Sequence, residues 1–416
     1  MTADEAVTDV KDAIAAGFDA FALNVASTEA WSTTAISYLF SAANNAASDF
    51  KLFFSFDMSQ FTNPSQFLPL IEQYASNDSY LLQDGRPFVS TFWGGASSYT
   101  FGQDNTNDGW NVSFRQPLLA KGINPFFVPD FDDWSGYPNG FFDTFSVVDG
   151  AFSWESAWPE VSGGKVNVSD SIDQTVLQEA RAAKKVYMMP LSTFQFKHLS
   201  GGGQNWYRIG ELNYAERIAQ VLALQPDFVE VLTWNDAGES HYVGNFWPEQ
   251  IAGSDIGTYA NGFDHTGWQQ VLPSFISAYK SGVTDVSKLA PPSGKAAVGV
   301  MWYRTLLTTA SCSSDSLGKP SGWQNAQDAI NFAVILDNKS SYTINVYSNN
   351  KQIGSFPASA GLNGQTVLGL QAGGGQRVEV VDAATNTTVI SATGTKDVLA
   401  EATGTCNFNY EVVALS

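Results

Sequence analysis

The chain is poor in charge. Of its 416 residues 15% are Asp, Glu, Lys or Arg, against 44% hydrophobic and 13% aromatic. A surface with so few charges is built largely from Ser, Thr, Asn, Gln and Gly, a composition usual among secreted proteins. Bases are scarcer than acids, 21 against 41, for a formal net charge of −20. Nucleic acid is therefore not an expected partner, because its affinity comes largely from Lys and Arg neutralising phosphates. Cysteine and histidine are rarer still. Cys312, Cys406, His198, His241 and His265 lack the spacing of a zinc site, and neither a metal nor another cofactor is expected. No run of eighteen apolar residues exists, so no membrane-spanning helix is expected. The opening "MTADEAVTDV" is acidic and has no apolar core of an export signal. No glycine-rich nucleotide fingerprint follows any apolar run, and GxSxG is absent. The first absence argues against a doubly wound open sheet, and the second, with so few histidines, against a Ser-His-Asp hydrolase.

What is present fits a neutral, hydroxylated ligand. Sugar C–H faces pack on flat rings, while carboxylates and amides accept hydroxyl protons. Five Asn-X-Ser/Thr sequons, at Asn77, Asn111, Asn167, Asn338 and Asn386, agree with an exported glycoprotein. Both cysteines lie in the last quarter, where a disulfide closing one domain is the favoured reading over two free thiols.

Up to about residue 285, short apolar runs alternate with helical patterns. Thr2 and Glu5 form a capping box, Val7, Val10 and Ile14 follow at helical spacing, and Gly17 stops the helix. "FDAFALNV", "KLFFSFDM", "RPFVSTFWGG", "NPFFVPDFDDW", "GAFSWESAW", "KVYMMPLS" and "DFVEVLTWND" read as buried strands, each followed by a helical stretch. Near-continuous apolar strands alternating with helices imply a parallel sheet covered on both faces. The expected fold is an α/β (β/α)8 TIM-type barrel. Its tally is seven strands and eight helices, and the first helix has no strand ahead of it, so the expectation includes a missing first strand together with any export signal. A doubly wound open sheet is the alternative. "APPSGK" reads as a linker, and the texture then changes to short alternating runs broken by "SNNK", "AGGGQ" and "AATN", the pattern of an all-β sandwich. The expected division is a catalytic barrel over 1–285, a linker over 286–294 and a C-terminal β-sandwich over 295–416.

In a barrel, reacting groups sit where strands end. The residues ending these runs are Asn24, Asp57, Trp93, Asp130 with Asp132 and Asp133, Glu155, Thr193, and Asn235, Asp236 and Glu239. Two carboxylates flanking a glycosidic bond are the minimum apparatus for its hydrolysis, one protonated and one ionised. "WNDAGES" supplies such a pair on one loop, with Gly238 for a sharp turn, Trp234 as an aromatic wall and His241 beside it. Asn, Asp, Gly and Ser are also turn formers, so a solvated turn remains open for this stretch. Trp93, Asp130, Asp132, Trp154, Glu155, Trp234 and His241 are the candidate substrate contacts. "HLSGGGQNW" reads as a mobile loop lacking the Lys-Ser/Thr of a phosphate cradle.

"AGFDAFALNVA", "KLFFSFDMSQF", "RPFVSTFWGG", "YMMPLSTFQFKH" and "VEVLTWNDAGESHY" resemble the fungal α-1,3-glucanases, or mutanases, of glycoside hydrolase family 71. The resemblance covers nearly the whole chain. It implies an endo-acting, inverting hydrolase of a fungal wall polysaccharide; a metal-free monomer, secreted or wall-bound, is expected. It also implies Asp236 and Glu239 as catalytic carboxylates with Asp57 essential. Glu239 is then the acid and Asp236 the base or water-positioner, with the exchange of those roles, or Asp57 as base, left open. The alternatives are a hydrolase of another neutral α-glycan and a non-catalytic wall-glucan-binding protein.

Overall fold

The computed structural model describes residues 1–416. The first helix, Ala3–Ala16, shows how local chemistry sets an element. The Thr2 hydroxyl accepts the Glu5 N–H at 3.3 Å, and the Glu5 carboxylate accepts the Thr2 N–H at 2.6 Å. Two amides that the helix leaves orphaned are thereby satisfied. Gly17, at φ 94°, ends the helix in the left-handed region where a Cβ would be strained.

Ten strands precede residue 233: β1 Ala20–Val25, β2 Lys51–Asp57, β3 Leu82–Gln83, β4 Arg86–Phe92, β5 Phe126–Phe127, β6 Gly150–Phe152, β7 Val186–Ser192, β8 Gln195–His198, β9 Asn205–Arg208 and β10 Phe228–Leu232. β1, β2, β4 and β5 pair in parallel, in that order. β6 pairs in parallel with β7, which neighbours β10. An isolated parallel bridge, Asp130 to Phe152, joins the run after β5 to β6. Helices lie between the strands, the longest being Ala30–Asn45, Ser171–Ala183, Asn213–Leu224 and Leu272–Lys280. β2 and β4 are buried at every interior position, as expected for strands covered on both faces. Phe54, Phe56 and Phe67 form part of the aromatic packing behind them, with Phe56 and Phe67 stacked at 3.9 Å. β8 and β9 form an antiparallel hairpin whose turn holds Gly201, Gly202 and Gly203, all at positive φ. "HLSGGGQNW" thus belongs to a hairpin and is not one long loop.

Ten strands follow: β11 Ala297–Arg304, β12 Leu306–Ser311, β13 Ala329–Leu336, β14 Tyr342–Ser348, β15 Lys351–Ala358, β16 Gly361–Leu368, β17 Arg377–Asp382, β18 Thr387–Thr393, β19 Leu399–Glu401 and β20 Tyr410–Leu415. Of these, β12 pairs with β19 in parallel, and the other eight make two four-stranded antiparallel sheets, β16-β13-β11-β20 and β15-β14-β17-β18. One cluster of buried side chains draws on both, including Ile330, Phe332 and Val334 from the first and Ile344, Val346, Val378 and Val380 from the second. The i, i+2 spacing of these residues is the signature of one strand face. β11 and β13, however, are buried at all eight positions. Their second face is covered as well: Trp302 packs on Trp268 at 4.4 Å, and a Cβ on Gly364 would come within 2.6 Å of Ala215. Cys312 and Cys406 are joined by a disulfide, with 5.5 Å between their Cα atoms.

The chain packs as two compact units. The first comprises 1–157, 170–190 and 226–230; the second comprises 158–169, 191–225 and 231–416.

Candidate active site

In the second unit, the end of β10 opens into a loop that closes on itself. The Thr233 N–H donates to the His241 carbonyl at 2.7 Å, and the Val243 N–H to the Thr233 carbonyl at 2.9 Å. Within this ring the Thr233 hydroxyl accepts the Asp236 N–H at 3.0 Å, and Asp236 Oδ1 accepts the Glu239 N–H at 2.9 Å. The i, i+3 spacing of the acids is therefore a turn whose first carboxylate caps the amide of the second. Gly238 is not in the left-handed region; Ser240 is, at φ 62°. What Gly238 provides is clearance, since a Cβ there would stand 3.1 Å from Asp236 Oδ1. The Tyr259 hydroxyl holds the Gly238 carbonyl at 2.7 Å. The Trp234 ring lies over Gly244, where a Cβ would come within 2.2 Å of it.

His241 is fully buried beneath this turn. Its Nε2 lies 3.2 Å from Asp236 Oδ2 and 3.6 Å from Glu239 Oε2. Trp158 packs on the imidazole at 5.3 Å, and the Arg208 guanidinium lies 5.4 Å over the Trp158 ring. β8 supplies the opposite wall. Its Phe196 N–H donates to the Glu239 carbonyl at 2.9 Å. On either side of Phe196, Gln195 and Lys197 face the Glu239 carboxylate: the Gln195 amide donates to Oε2, and Lys197 Nζ donates to Oε1 at 3.2 Å. Lys197 also lies 5.1 Å from the Trp206 ring.

Burial opposes ionisation of Asp236. The hydrogen bond and charge of His241, the Glu239 N–H and the Lys197 charge outweigh it and hold this carboxyl below its usual value. Asp236, Glu239 and His241 present three ligand-type atoms within 4.8 Å of one another. Both Glu239 oxygens already face donors, one of them an ammonium group, which disfavours a further cation. The arrangement suits proton transfer between carboxylates and a bound hydroxyl or ether oxygen.

In the first unit, a second group of acids is held mainly by backbone. Asp57 ends β2, and its Oδ1 accepts the Ser59 N–H at 2.9 Å and the Ser59 hydroxyl at 2.6 Å. Asp133 accepts the N–H groups of Gly94, Gly95 and Ala96 at 3.3, 2.7 and 3.1 Å. Gly94 and Gly95 are required there, because a Cβ would come within 2.9 Å of Phe131 on the first and 2.6 Å on the second. Asp130 is fully buried; its Oδ1 accepts the Trp154 N–H at 3.2 Å, and Asp132 Oδ2 accepts the Glu155 N–H at 2.9 Å. Burial, and then the neighbouring Asp132 charge, push Asp130 well above the carboxylate range. Asp132 is pushed up to about 7, again chiefly by burial. Trp93 is 39% exposed, at φ 60°, and stacks on Phe92 at 5.2 Å; Trp154 is buried and meets Phe92 edge-on at 5.2 Å. Glu155 is exposed.

The sequence candidates thus fall into two groups. Asp236, Glu239, His241 and Trp234 share one loop in the second unit. Asp57, Trp93, Asp130, Asp132, Trp154 and Glu155 belong to the first, where Asp130, Asp132, Trp154 and Glu155 form one cluster. Sequence reasoning passed over Gln195 as a partner of Glu239. The alternation Phe194, Gln195, Phe196, Lys197 carried the signal, since every second residue of a strand shares a face. The amide nest around Asp133 had no such signature.

The sequence model of "Glycosyl hydrolase family 71" matches residues 1–416. A glucan endo-1,3-alpha-glucosidase, agn1, of Schizosaccharomyces pombe is 37% identical over 350 residues, covering 84% of this chain and 78% of that protein. An ascus wall endo-1,3-alpha-glucanase of the same organism is 31% identical over 366 residues, covering 86% of this chain and 80% of that protein. Among solved structures, a GH99 endo-alpha-mannosidase from Bacteroides thetaiotaomicron aligns with a TM-score of 0.50 at 10% identity, covering 68% of this chain and 80% of that chain; the likeness concerns the fold alone.

Proposed function

The chain belongs to glycosyl hydrolase family 71, and we propose that it cleaves α-1,3-glucan within the polymer, using the Asp236–Glu239 turn. The observation that carries this reading is the turn itself. Two carboxylates stand side by side, one of them held ionised by a buried histidine. Glu239 is the acid that protonates the leaving glycosidic oxygen. His241 and Lys197 hold Asp236 ionised, which gives it the part of the anion and leaves the proton donor's part to Glu239.

The family resemblance implies inversion, for which paired carboxyls stand roughly 6.5–9.5 Å apart to admit a water. An oxygen of Asp236 and one of Glu239 lie within 4.8 Å. Asp236 orients Glu239, whose N–H it accepts, and as the ionised member of the pair takes the proton of the attacking water. Asp57 is assigned an essential part by the resemblance, to be tested by Asp57→Asn. Trp93, Asp130, Asp132, Trp154, Glu155, Trp234 and His241 are the proposed contacts to sugar or to the acids. We read residues 1–285 as a barrel of the (β/α)8 type, 286–294 as a linker and 295–416 as a β-sandwich that buttresses the catalytic part. A secreted or wall-bound, glycosylated monomer fits the composition and sequons.

The decisive assay is reducing-sugar release from insoluble α-1,3-glucan, beside α-1,4- and β-1,3-glucan. Release from the first alone supports the proposal, whereas glucan binding without release sinks it. NMR of the first-formed anomer separates inversion from retention.

A further inference from the structure

Glu239 is bracketed by β8, and β8 is itself held at its end by a distant part of the chain. Side chains alternate along a strand: Gln195 and Lys197 reach Glu239, while Phe196 and His198 face the other way. His198 is 3% exposed. Its Nδ1 lies 2.9 Å from Asn205 Oδ1, its partner across the hairpin, and its Nε2 lies 2.7 Å from Asp315 Oδ2. Asp315 is fixed in turn. The Cys406 N–H donates to Oδ2 at 2.6 Å, the Leu317 N–H donates to Oδ1 at 2.8 Å, and the Asp315 N–H donates to the Cys312 carbonyl at 3.1 Å. Cys312 and Cys406 are joined by the disulfide. Asn205 Nδ2 adds a bond to the Leu317 carbonyl at 3.2 Å.

We propose that Asp315 is a positioning residue for the reaction: through His198 it fixes the β8–β9 hairpin so that Gln195 and Lys197 stay on the Glu239 carboxylate. This rests on the reading of Glu239 as the acid. β9 is pinned by its own backbone bonds, the Tyr207 N–H to the Ser321 carbonyl at 2.7 Å and the Ser321 N–H to the Asn205 carbonyl at 3.0 Å, so Asp315 with His198 supplies the tie on the β8 side of a turn whose three consecutive glycines lie at positive φ. Among its polar contacts outside the hairpin, β8 touches Glu239 at one end and Asp315 at the other. Burial works against an ionised Asp315, but the two N–H groups and the imidazole outweigh it and keep the carboxyl below its ordinary value. A fixed anion therefore faces the ring. Displacing a reacting group by about 1 Å costs up to about a hundredfold in rate, so a loosened hairpin registers in kcat before it registers in glucan binding.

The test is a double-mutant cycle on the full chain, read as kcat and KM on glucan. Lys197→Met and Asp315→Ala are each expected to lower kcat about tenfold, with KM within about twofold. If Asp315 acts through the hairpin, Asp315→Ala made on top of Lys197→Met costs under about threefold more, because interacting positions are not additive. An unchanged kcat in Asp315→Ala, or the full loss repeated in the Lys197→Met background, overturns the proposal. Should Asp315→Ala fail to fold, the same cycle with His198→Gln decides, since that variant leaves the bonds of Asp315 to Cys406 and Leu317 in place. Glu239→Gln is measured alongside. If it stays active, the acid is misassigned; if it is inactive while Asp315→Ala keeps full kcat, only the positioning role is lost.

Discussion

Asp236 and Asp132 are both aspartates in loops that follow strands, and their surroundings drive them in opposite directions. Asp236 sits against a buried imidazole with Lys197 nearby and is held ionised. Asp132 sits beside Asp130, Asp133 and Glu155, meets one backbone N–H, and is pushed up to about 7. Burial raises both. The difference lies in whether a cationic or donating side chain answers it. A carboxylate beside a histidine is ready to serve as a constant anion. One among other acids is a proton carrier, able to donate a hydrogen bond to a sugar oxygen. The first situation belongs to a turn bracketed by side chains from another element, the second to a cluster held mostly by backbone amides.

Substitutions should break this contrast at its strong end first. Asp236→Asn and Glu239→Gln are each expected to lower kcat by about 10²–10⁴-fold, the usual contribution of a positioned acid or base. Co-sedimentation with insoluble glucan should remain near the wild-type level. His241→Gln should cost about tenfold and, in addition, change the pH profile. With its imidazole partner gone, the Asp236 carboxyl rises toward its ordinary value. Activity that requires it ionised is then lost at a higher pH on the acid side, which a kcat/KM profile against pH records.

Asp132 sharpens the contrast through stability. Its value of about 7 in the folded chain exceeds the ordinary value of about 3.9. Between these limits the unfolded chain is ionised at this residue and the folded chain is protonated. Stability from this residue is thus complete below about 4 and is lost as pH rises to about 7. Asp132→Asn, which cannot ionise, should therefore gain in melting temperature over the wild type as pH goes from 4 to 7, and the gain should then level off. The smallest effect is expected at Asp130. Burial and the Asp132 charge push its carboxyl well above the ordinary range and favour the neutral form, which Asn matches closely in shape. A kcat/KM within about threefold of wild type is the expected reading. A loss as large as that of Asp236→Asn would mean that Asp130 works as an anion, and the contrast would fail.

Much of the fold was legible before any coordinates. The capping box at Thr2 and Glu5, the stop at Gly17, and strands such as "KLFFSFD" and "RPFVSTF" follow from local rules: hydrogen-bond accounting at helix ends and unbroken apolar runs where both faces are covered. The acids of "WNDAGES" were legible as a pair for the same kind of reason, since they stop an apolar run three residues apart. β8 and β9 were not, because a glycine-rich turn with short flanks resembles a loop until its partner strand is seen. The full burial of β11 and β13 was also hidden. Alternating runs predict one wet face, and here that face is covered by Trp268 and the helix Asn213–Leu224.

By itself the sequence determined where the longer strands and helices lie, which residues end them, and that two carboxylates share one turn, because those properties depend on neighbours within a few positions along the chain. Only the tertiary structure decided which of the acids is ionised, that Gln195 and Lys197 grip Glu239, and that Asp315, 117 positions beyond His198, anchors the strand carrying them. Charge state and aim depend on the side chains brought within about 4 Å, where Coulomb and hydrogen-bond energies are steep. That proximity is set by packing and not by order along the chain.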